Sequence, residues 1–394
     1  MTLDASTYTL RNGGEFGKRS LWIGAGGLAL SAVGFAVNPE RFFHSYLVAY
    51  MLWVAVGLGA LFLVMLHYLV NARWSIVIRR LLESVMATLP AMAILFLPIV
   101  LGLHQLYPWS DASAVAKDAL LAKKASYLNS TFFLVRALVY FGIWYLLSRS
   151  LYRASIAEDT AYDEARRART RRVAAGGMLL FAFTSTFAAF DWLMSLDPHW
   201  YSTIYGAYVF AGAVLSILSF TMLVALHLHR KGILVDVIGV EHYNDLGKLS
   251  FAFVIFWAYM AFSQYLIIWY GNIPEETIWY AHRWVGSWKF VSLFLVIGRF
   301  ALPFVLLMPK TIKRNLRFLG VISIWMLLMQ WVDLYWLVVP EQSPEGAGLS
   351  WIDPVTMAGV GGIFVWLFWR RFASAPLIPI GDPRLEGSLQ SLSM

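Results

Sequence analysis

Five charged side chains stand inside apolar runs long enough to cross a bilayer: Arg136, Asp191, Lys289, Arg299 and Asp333. An ionisable group in hydrocarbon costs at least about 2.5–3.5 kcal/mol on insertion scales, so it turns toward a protein interior, an opposite charge or water. Acids and bases spread through the thickness of a membrane are what a proton relay requires. Asp191 and Asp333 fall in the outer third of outward-running segments, Lys289 near the outer end of its segment, and Arg299 at or below mid-depth. Glu83 and His67 lie near the inner edge, and Arg136 sits about 10 Å below the outer boundary by helical rise. Asp191, Asp333, Lys289, Arg299, Glu83, Arg136 and His67 are therefore the expected proton path. The plainer alternative is that buried Asp–Arg or Asp–Lys pairs only fix helix register.

Helical spacing sets these groups on shared faces. Thr184, Ala188, Asp191 and Ser195 form one stripe, and Tyr205, Tyr208, Gly212, Ser216 and Ser219 another. Tyr259, Ser263 and Tyr270 align, as do Lys289, Ser292, Arg299 and Pro303, and Ser323, Gln330 and Asp333. Converging, five such stripes enclose a hydrated interior, although Ser and Thr in membrane helices often bond only their own backbone. Pro90, Pro98 and Pro303 are expected to kink the third and eighth spans.

The elements that carry these faces follow from composition. Of 394 residues, 59% are hydrophobic and 14% charged, against about 25% charged in soluble domains; the mean hydropathy is +0.64. The fold class is all-α integral membrane. Ten segments reach the roughly 20 apolar residues a bilayer demands: 20–37, 43–70, 76–103, 129–150, 173–195, 202–228, 249–270, 285–308, 317–339 and 354–372. The first is the shortest and richest in glycine, and so the least secure. Of 31 lysines and arginines, 23 fall on the side of both termini, 5 on the other and 3 inside spans. That asymmetry predicts cytoplasmic termini and explains the net charge of +8 without nucleic acid. Residues 152–172 read as a solvated cytoplasmic helix, 104–128 as a connection packing over the outer face, and the last twenty residues as an irregular tail. The polar first nineteen residues predict no removed leader.

The same letters exclude several functions. Without cysteine the chain has no thiolate-held zinc, iron–sulfur cluster or covalent c-type haem. Its eight histidines lie at span ends or in loops, so no haem is expected between facing helices. No metal site, phosphate loop or nucleophile elbow is legible. Spans 2 and 6 both end on histidine (MLHYLV, ALHLHR), and spans 4 and 8 carry arginine after similar letters (FFLVR, FLVIGR). This echo suggests two parallel four-helix units, spans 2–5 and 6–9, flanked by spans 1 and 10.

Two outer connections are distinctive: DWLMSLDPHWYSTIYG (191–206) and FSQYLIIWYGNIPEETIWY (262–280). With them, the whole chain resembles the ActF-type integral membrane subunit of the alternative complex III, a bacterial quinol:cytochrome c oxidoreductase, within the wider polysulfide-reductase-like (NrfD-like) family. The resemblance implies two four-helix bundles plus two peripheral helices in one polytopic domain: 1–42 tail and first helix, 43–195 first bundle, 202–339 second bundle, 354–394 last helix and tail. It implies a bacterial cytoplasmic membrane and a complex with a paralogous ten-helix subunit, an outer iron–sulfur subunit, c-haem subunits and small membrane subunits. Electrons from quinol, such as menaquinol, would pass to a soluble cytochrome c or a terminal oxidase. The chain itself is expected to bind no haem or iron–sulfur cluster and to have no catalytic activity alone.

A quinol site needs an acid or histidine to accept the hydroxyl proton, which makes His44, Asp191, His199 and Asp353 the outer-side candidates. Two other classes compete with this reading: a stand-alone secondary transporter, and a structural anchor for redox subunits.

Overall fold

The computed structural model describes residues 8–10 and 14–390. Among them are ten helices long and apolar enough to cross a membrane: α1 (Gly14–Val37), α2 (Pro39–Leu69), α3 (Ile76–Leu101), α4 (Ser130–Thr160), α5 (Glu164–Leu196), α6 (Tyr205–Arg230), α7 (Val240–Gly271), α8 (Trp288–Leu307), α9 (Leu316–Glu341) and α10 (Ile352–Phe372). The chain is an all-α, multi-pass membrane protein.

Burial separates the central helices from the rim. In α2 and α6, 83% and 78% of the most apolar window is buried, against 22% in α7 and 28% in α8. These two helices are apolar on every side because every side meets protein. Helix α2 packs on α3, α5 and α10, α6 packs on α7 and α9, and the two lie against each other at the middle of the molecule. Helices α2–α5 thus surround one interior and α6–α9 another. Helix α1 lies mainly along α10.

The glycines of the first helix have a specific use. Its buried face is Gly17, Ser20, Gly24, Gly27, Ser31 and Gly34, a small-residue stripe of the kind that lets membrane helices touch. A Cβ on Gly27 would stand 2.5 Å from the Gly359 backbone nitrogen of α10. The composition that made this span look insecure is what holds it.

Two helices are irregular, as their prolines predict. Helix α3 runs as Ile76–Met86, Leu89–Leu95 and Leu97–Leu101, with Pro90 and Pro98 in the first turns of the second and third pieces. Helix α8 contains a π turn at Val296–Ala301. Pro303 has no N–H to offer the carbonyl one turn back, at Arg299, and the wider turn absorbs that gap.

One expectation on the face that carries both chain ends is corrected. Residues 152–172 are not a separate solvated helix: α4 and α5 run on to a tight hairpin, and Ser155, Glu158, Arg167 and Thr170 are buried. The tail is irregular through 384, as expected, with a short helix at Leu385–Gln390, and it is packed. Leu377, Ile378, Asp382 and Leu385 are buried, and a Cβ on Gly381 would stand 1.8 Å from the Glu158 carbonyl oxygen, so only glycine lets the tail cross there. On the opposite face, 104–128 packs as expected: Tyr107 donates to the Trp192 carbonyl at 2.9 Å and Trp109 to that of Ser195 at 3.1 Å.

Candidate functional site

Arg136 of α4 and Asp191 of α5 form a two-pronged pair, Nε to Oδ2 at 2.7 Å and Nη2 to Oδ1 at 3.0 Å. Tyr140, one turn along α4, donates to Oδ2 at 2.7 Å. The guanidinium also donates to the Tyr127 carbonyl at 2.8 Å and faces the Tyr127 ring, 3.9 Å from its centroid. Arg136 is engaged through all three of its nitrogens and Asp191 through both of its oxygens.

The second bundle repeats the motif. Arg299 of α8 stands 3.5 Å from Asp333 of α9, with Tyr208 of α6 donating to Asp333. Arg299 spends its shorter bonds elsewhere, on Gln330 Oε1 at 2.6 Å and the Met329 carbonyl at 2.9 Å. Its guanidinium lies 4.6 Å from the Trp257 ring centroid. The shared letters of spans 4 and 8 therefore mark a shared arrangement: each arginine meets the aspartate of the next helix, and a tyrosine completes it.

Behind Tyr208 and Trp257 a gap opens between the end of α7 and the beginning of α8. It leaves a cleft of about 660 Å³ whose lining includes Tyr259, Phe262, Gln264, Tyr280, Trp284 and Trp336. Tyr259 and Phe262 are more than half exposed on α7, so the cleft opens on the flank of the helices. At the end near the α7–α8 connection Gln264 accepts from Ser202 at 2.9 Å and donates to Tyr280 at 3.0 Å. Burial pushes the Tyr280 phenol above its usual range, keeping it a neutral donor.

The two distinctive connections meet above this cleft. Trp200 stacks on Trp279 with centroids 4.2 Å apart, and Arg283 lies 3.4 Å from the Trp279 ring centroid. Arg283 donates to the carbonyls of Trp279, Trp336 and Leu337 and pairs with Glu341 at 3.4 Å. The tryptophans of the two segments thus meet in one roof, which Arg283, just beyond the second, ties to α9.

From Asp333 a polar face descends α6. Arg299 and Gln330 lie against Gly212, and Ser216 donates to the Gly212 carbonyl at 2.7 Å. Ser219 follows on the same face, whereas Thr221 points to the opposite side of α6; both are buried. Thr221 lines a second cavity, about 140 Å³, with His67, Ser75, Trp74 and Phe253. His67 Nδ1 meets Ser75 Oγ at 2.8 Å. His67 Nε2 and Thr221 Oγ1 have no hydrogen-bond partner among the described residues.

On the side of the termini Glu83 enters a network of four arginines and four carboxylates: Arg79, Arg80, Arg167 and Arg384 with Glu83, Glu158, Asp159 and Asp382. Asp382 of the tail receives Arg79 at 2.5 Å and Arg167 at 3.0 Å. Sequence reasoning missed this network except for Glu83; the density of opposite charges in 152–172 was the available signal. It also missed Arg41, which pairs with Asp353 at 2.5 Å and donates to the Gly348 carbonyl at 2.9 Å.

Other expected residues stand apart. Lys289 is exposed, with its Nζ 5.1 Å from the Phe290 ring centroid; it turns away from the interior because it sits at the helix mouth, where a long side chain reaches the interface. His44 is buried with Nδ1 at 2.9 Å from the Glu40 carbonyl. Exposed His199 joins Asp118 at 2.6 Å, and Asp353 also accepts from Ser45 at 2.5 Å. Of the four quinol candidates, none lines the α7–α8 cleft.

Among the described residues no group of three or more His, Asp or Glu side chains could hold a metal ion. No protein-family model and no curated protein matches this chain. The arrangement sets an aromatic cleft beside a buried carboxylate, with the buried hydroxyls of Ser216 and Ser219 further along α6.

Proposed function

We propose that this chain is a non-haem membrane subunit of a respiratory quinol:cytochrome c oxidoreductase of the alternative complex III type. In this reading it sits in a bacterial cytoplasmic membrane with both termini in the cytoplasm, and contributes a proton path through its second bundle. The redox groups belong to partner subunits, since a chain without cysteine cannot hold iron–sulfur clusters on thiolates or c-type haem covalently.

One observation carries the reading. The second Arg–Asp pair stands between the α7–α8 cleft and a polar stripe of α6, Gly212, Ser216 and Ser219, that leads toward the side where the His67 cavity lies. Tyr208 and Ser219, at the two ends of that stripe, are about 16 Å apart along the helix at 1.5 Å per residue, about half of a bilayer's hydrocarbon thickness. Asp333 would exchange protons with the cleft side through Tyr208. Ser216, Ser219 and ordered water would carry them on toward His67, with the Glu83 network beyond. The first bundle's pair, fully engaged, would act as a lock on helix register.

Affinity purification through this chain in mild detergent tests the assignment. The expected result is co-purification with c-haem and iron–sulfur subunits and quinol-dependent reduction of cytochrome c. A chain that runs alone, with neither haem nor iron, would reject the assignment and favour a secondary transporter.

A further inference from the structure

We propose that a cavity at the ends of α1, α6 and α10, on the face of the chain termini, binds the head group of an anionic phospholipid. The proposal rests on the chain being a membrane protein and is independent of the role suggested above. Four stretches build the cavity: residues 8–10, the first turns of α1, the end of α6 with residues 231–237, and Trp369 with Leu377. The Tyr8 carbonyl accepts from the Leu377 N–H at 2.8 Å, which ties the first stretch to the tail.

Depth comes first. Helix α1 has 24 residues, about 36 Å at 1.5 Å per residue, against about 30 Å of hydrocarbon. Its charged first turns therefore stand at head-group level. Lys18 and Arg19 are exposed there. Trp22, one turn beyond Lys18, is 76% exposed, at the kind of depth where tryptophans anchor membrane helices.

Size and walls come second. The volume is about 1300 Å³, above the roughly 300–1,000 Å³ of small-molecule pockets, and it suits a head group with its glycerol and the first part of its acyl chains. One wall is aromatic: the Phe16 ring lies 4.9 Å from His227 and 4.6 Å from Trp369 between centroids. Ile233 and Val235 add apolar surface. A small soluble anion would leave that surface wet, whereas a lipid covers it.

The segment after α6 is held in an unusual shape. Gly232 and Leu234 both have positive φ, 72° and 58°, and a leucine in left-handed backbone persists only where its surroundings impose it. The bend brings Lys231 and Val235 to the same cavity.

Charge selects the ligand. Lys18, Arg19 and Lys231 line the cavity, with Glu15 and Asp236. Glu15 faces Arg19 at 3.8 Å, while Lys18, Lys231 and Asp236 have no ion pair among the described residues. Cations exceed acids, and exposed Arg230 adjoins Lys231. Basic pockets between membrane helices take acidic head groups, whereas a zwitterionic lipid would bring a further cation into this excess.

The test is photolabelling of the full chain in phosphatidylcholine nanodiscs, with a phosphatidylglycerol that carries a diazirine near the glycerol end of one acyl chain. The expected label falls on peptides covering 14–22 and 227–238. Unlabelled phosphatidylglycerol should compete it away, and phosphatidylethanolamine and inorganic phosphate should not. Lys18→Gln and Lys231→Gln should each weaken labelling on the order of fivefold, the worth of one lysine near an acidic surface, with Tm unchanged. Lys248→Gln is the control, since that lysine is exposed, pairs with Asp245 at 2.9 Å and does not line the cavity; its labelling should match wild type.

Label that falls only elsewhere, or that both cavity variants leave untouched, would overturn the proposal. Equal displacement by phosphatidylethanolamine would do so too, and would mark a groove for any lipid. Displacement by inorganic phosphate would reduce the cavity to a bare anion site. An equal loss in Lys248→Gln would replace the site with a diffuse basic surface.

Discussion

Arg136 grips Asp191 with two bonds, at 2.7 and 3.0 Å, whereas Arg299 stands 3.5 Å from Asp333 and gives its shortest bond, 2.6 Å, to Gln330. The same pair thus occurs twice, once tight and once slack. A carboxylate held from two sides has little freedom to exchange its proton. One whose cation is shared with a neighbouring amide, and whose other oxygen faces a tyrosine beside a cleft, has more. The two bundles carry one motif and put it to different uses.

This asymmetry separates the two aspartates by experiment. Asp191→Ala leaves Arg136 buried without its counter-charge, and removing one partner of a buried pair costs about 3–5 kcal/mol. The expected outcome is a large drop in Tm in detergent, while assembled complex that survives translocates as many protons per electron as wild type. A small stability change with lost translocation would reverse the roles assigned to the two bundles.

Asp333→Asn keeps an oxygen for Tyr208 and removes the exchangeable acid. Proton translocation per electron should fall in proteoliposomes while assembly persists and cytochrome c reduction falls less. Unchanged translocation in an intact complex would remove Asp333 from the path. Lys289→Gln supplies the contrast: its side chain is exposed, and surface changes stay within about 0.5 kcal/mol. Neither Tm nor translocation should move.

The tail is a structural clamp, and Asp382 is its pin. Three arginines, Arg79, Arg167 and Arg384, reach it within 3.0 Å. Asp382→Ala leaves the buried network with one positive charge too many and is expected to cost about 3–5 kcal/mol. Thermal unfolding of the purified protein measures it. A neutral result would mean that the tail only rests on the bundle.

How much of this was legible in the letters varied with the range of the interaction. The ten spans were readable because hydropathy over twenty residues is local. The polar faces of α6 and α9 were readable because helical period is local too. The partner of Arg136 was not, since Asp191 lies fifty-five positions away and neither helix's rotation about its axis is written in its own residues. Arg41 was counted as an ordinary loop charge, because its buried carboxylate stands on α10, more than three hundred positions on. Proline and glycine made the tail look irregular, yet Gly381 is what lets it cross Glu158. The cleft was invisible for a plainer reason. It is a gap between helices, and a sequence names side chains rather than the spaces between them.

The α1–α10 contact gives the last prediction, on assembly rather than chemistry. Gly24 and Gly27 meet Gly359 and Gly362 with backbones close enough that a Cβ at any of the four would stand under 3.0 Å from a neighbour's backbone. Backbone cannot yield as a side-chain tip can, so Gly27→Leu forces the helices apart; overpacking of this kind costs about 1–3 kcal/mol. Because α1 packs mainly on α10 and little on the bundles, the loss should be local. Limited proteolysis in detergent should cut the connection near Asn38 in Gly27→Leu and not in wild type, while Tm of the remaining helices holds. Simultaneous loss of the whole fold would show that α1 braces the bundles, against the packing seen here. Gly26→Leu, one position along and with open space beside it, should leave the cleavage pattern of wild type, so that the contrast tests the contact and not the leucine.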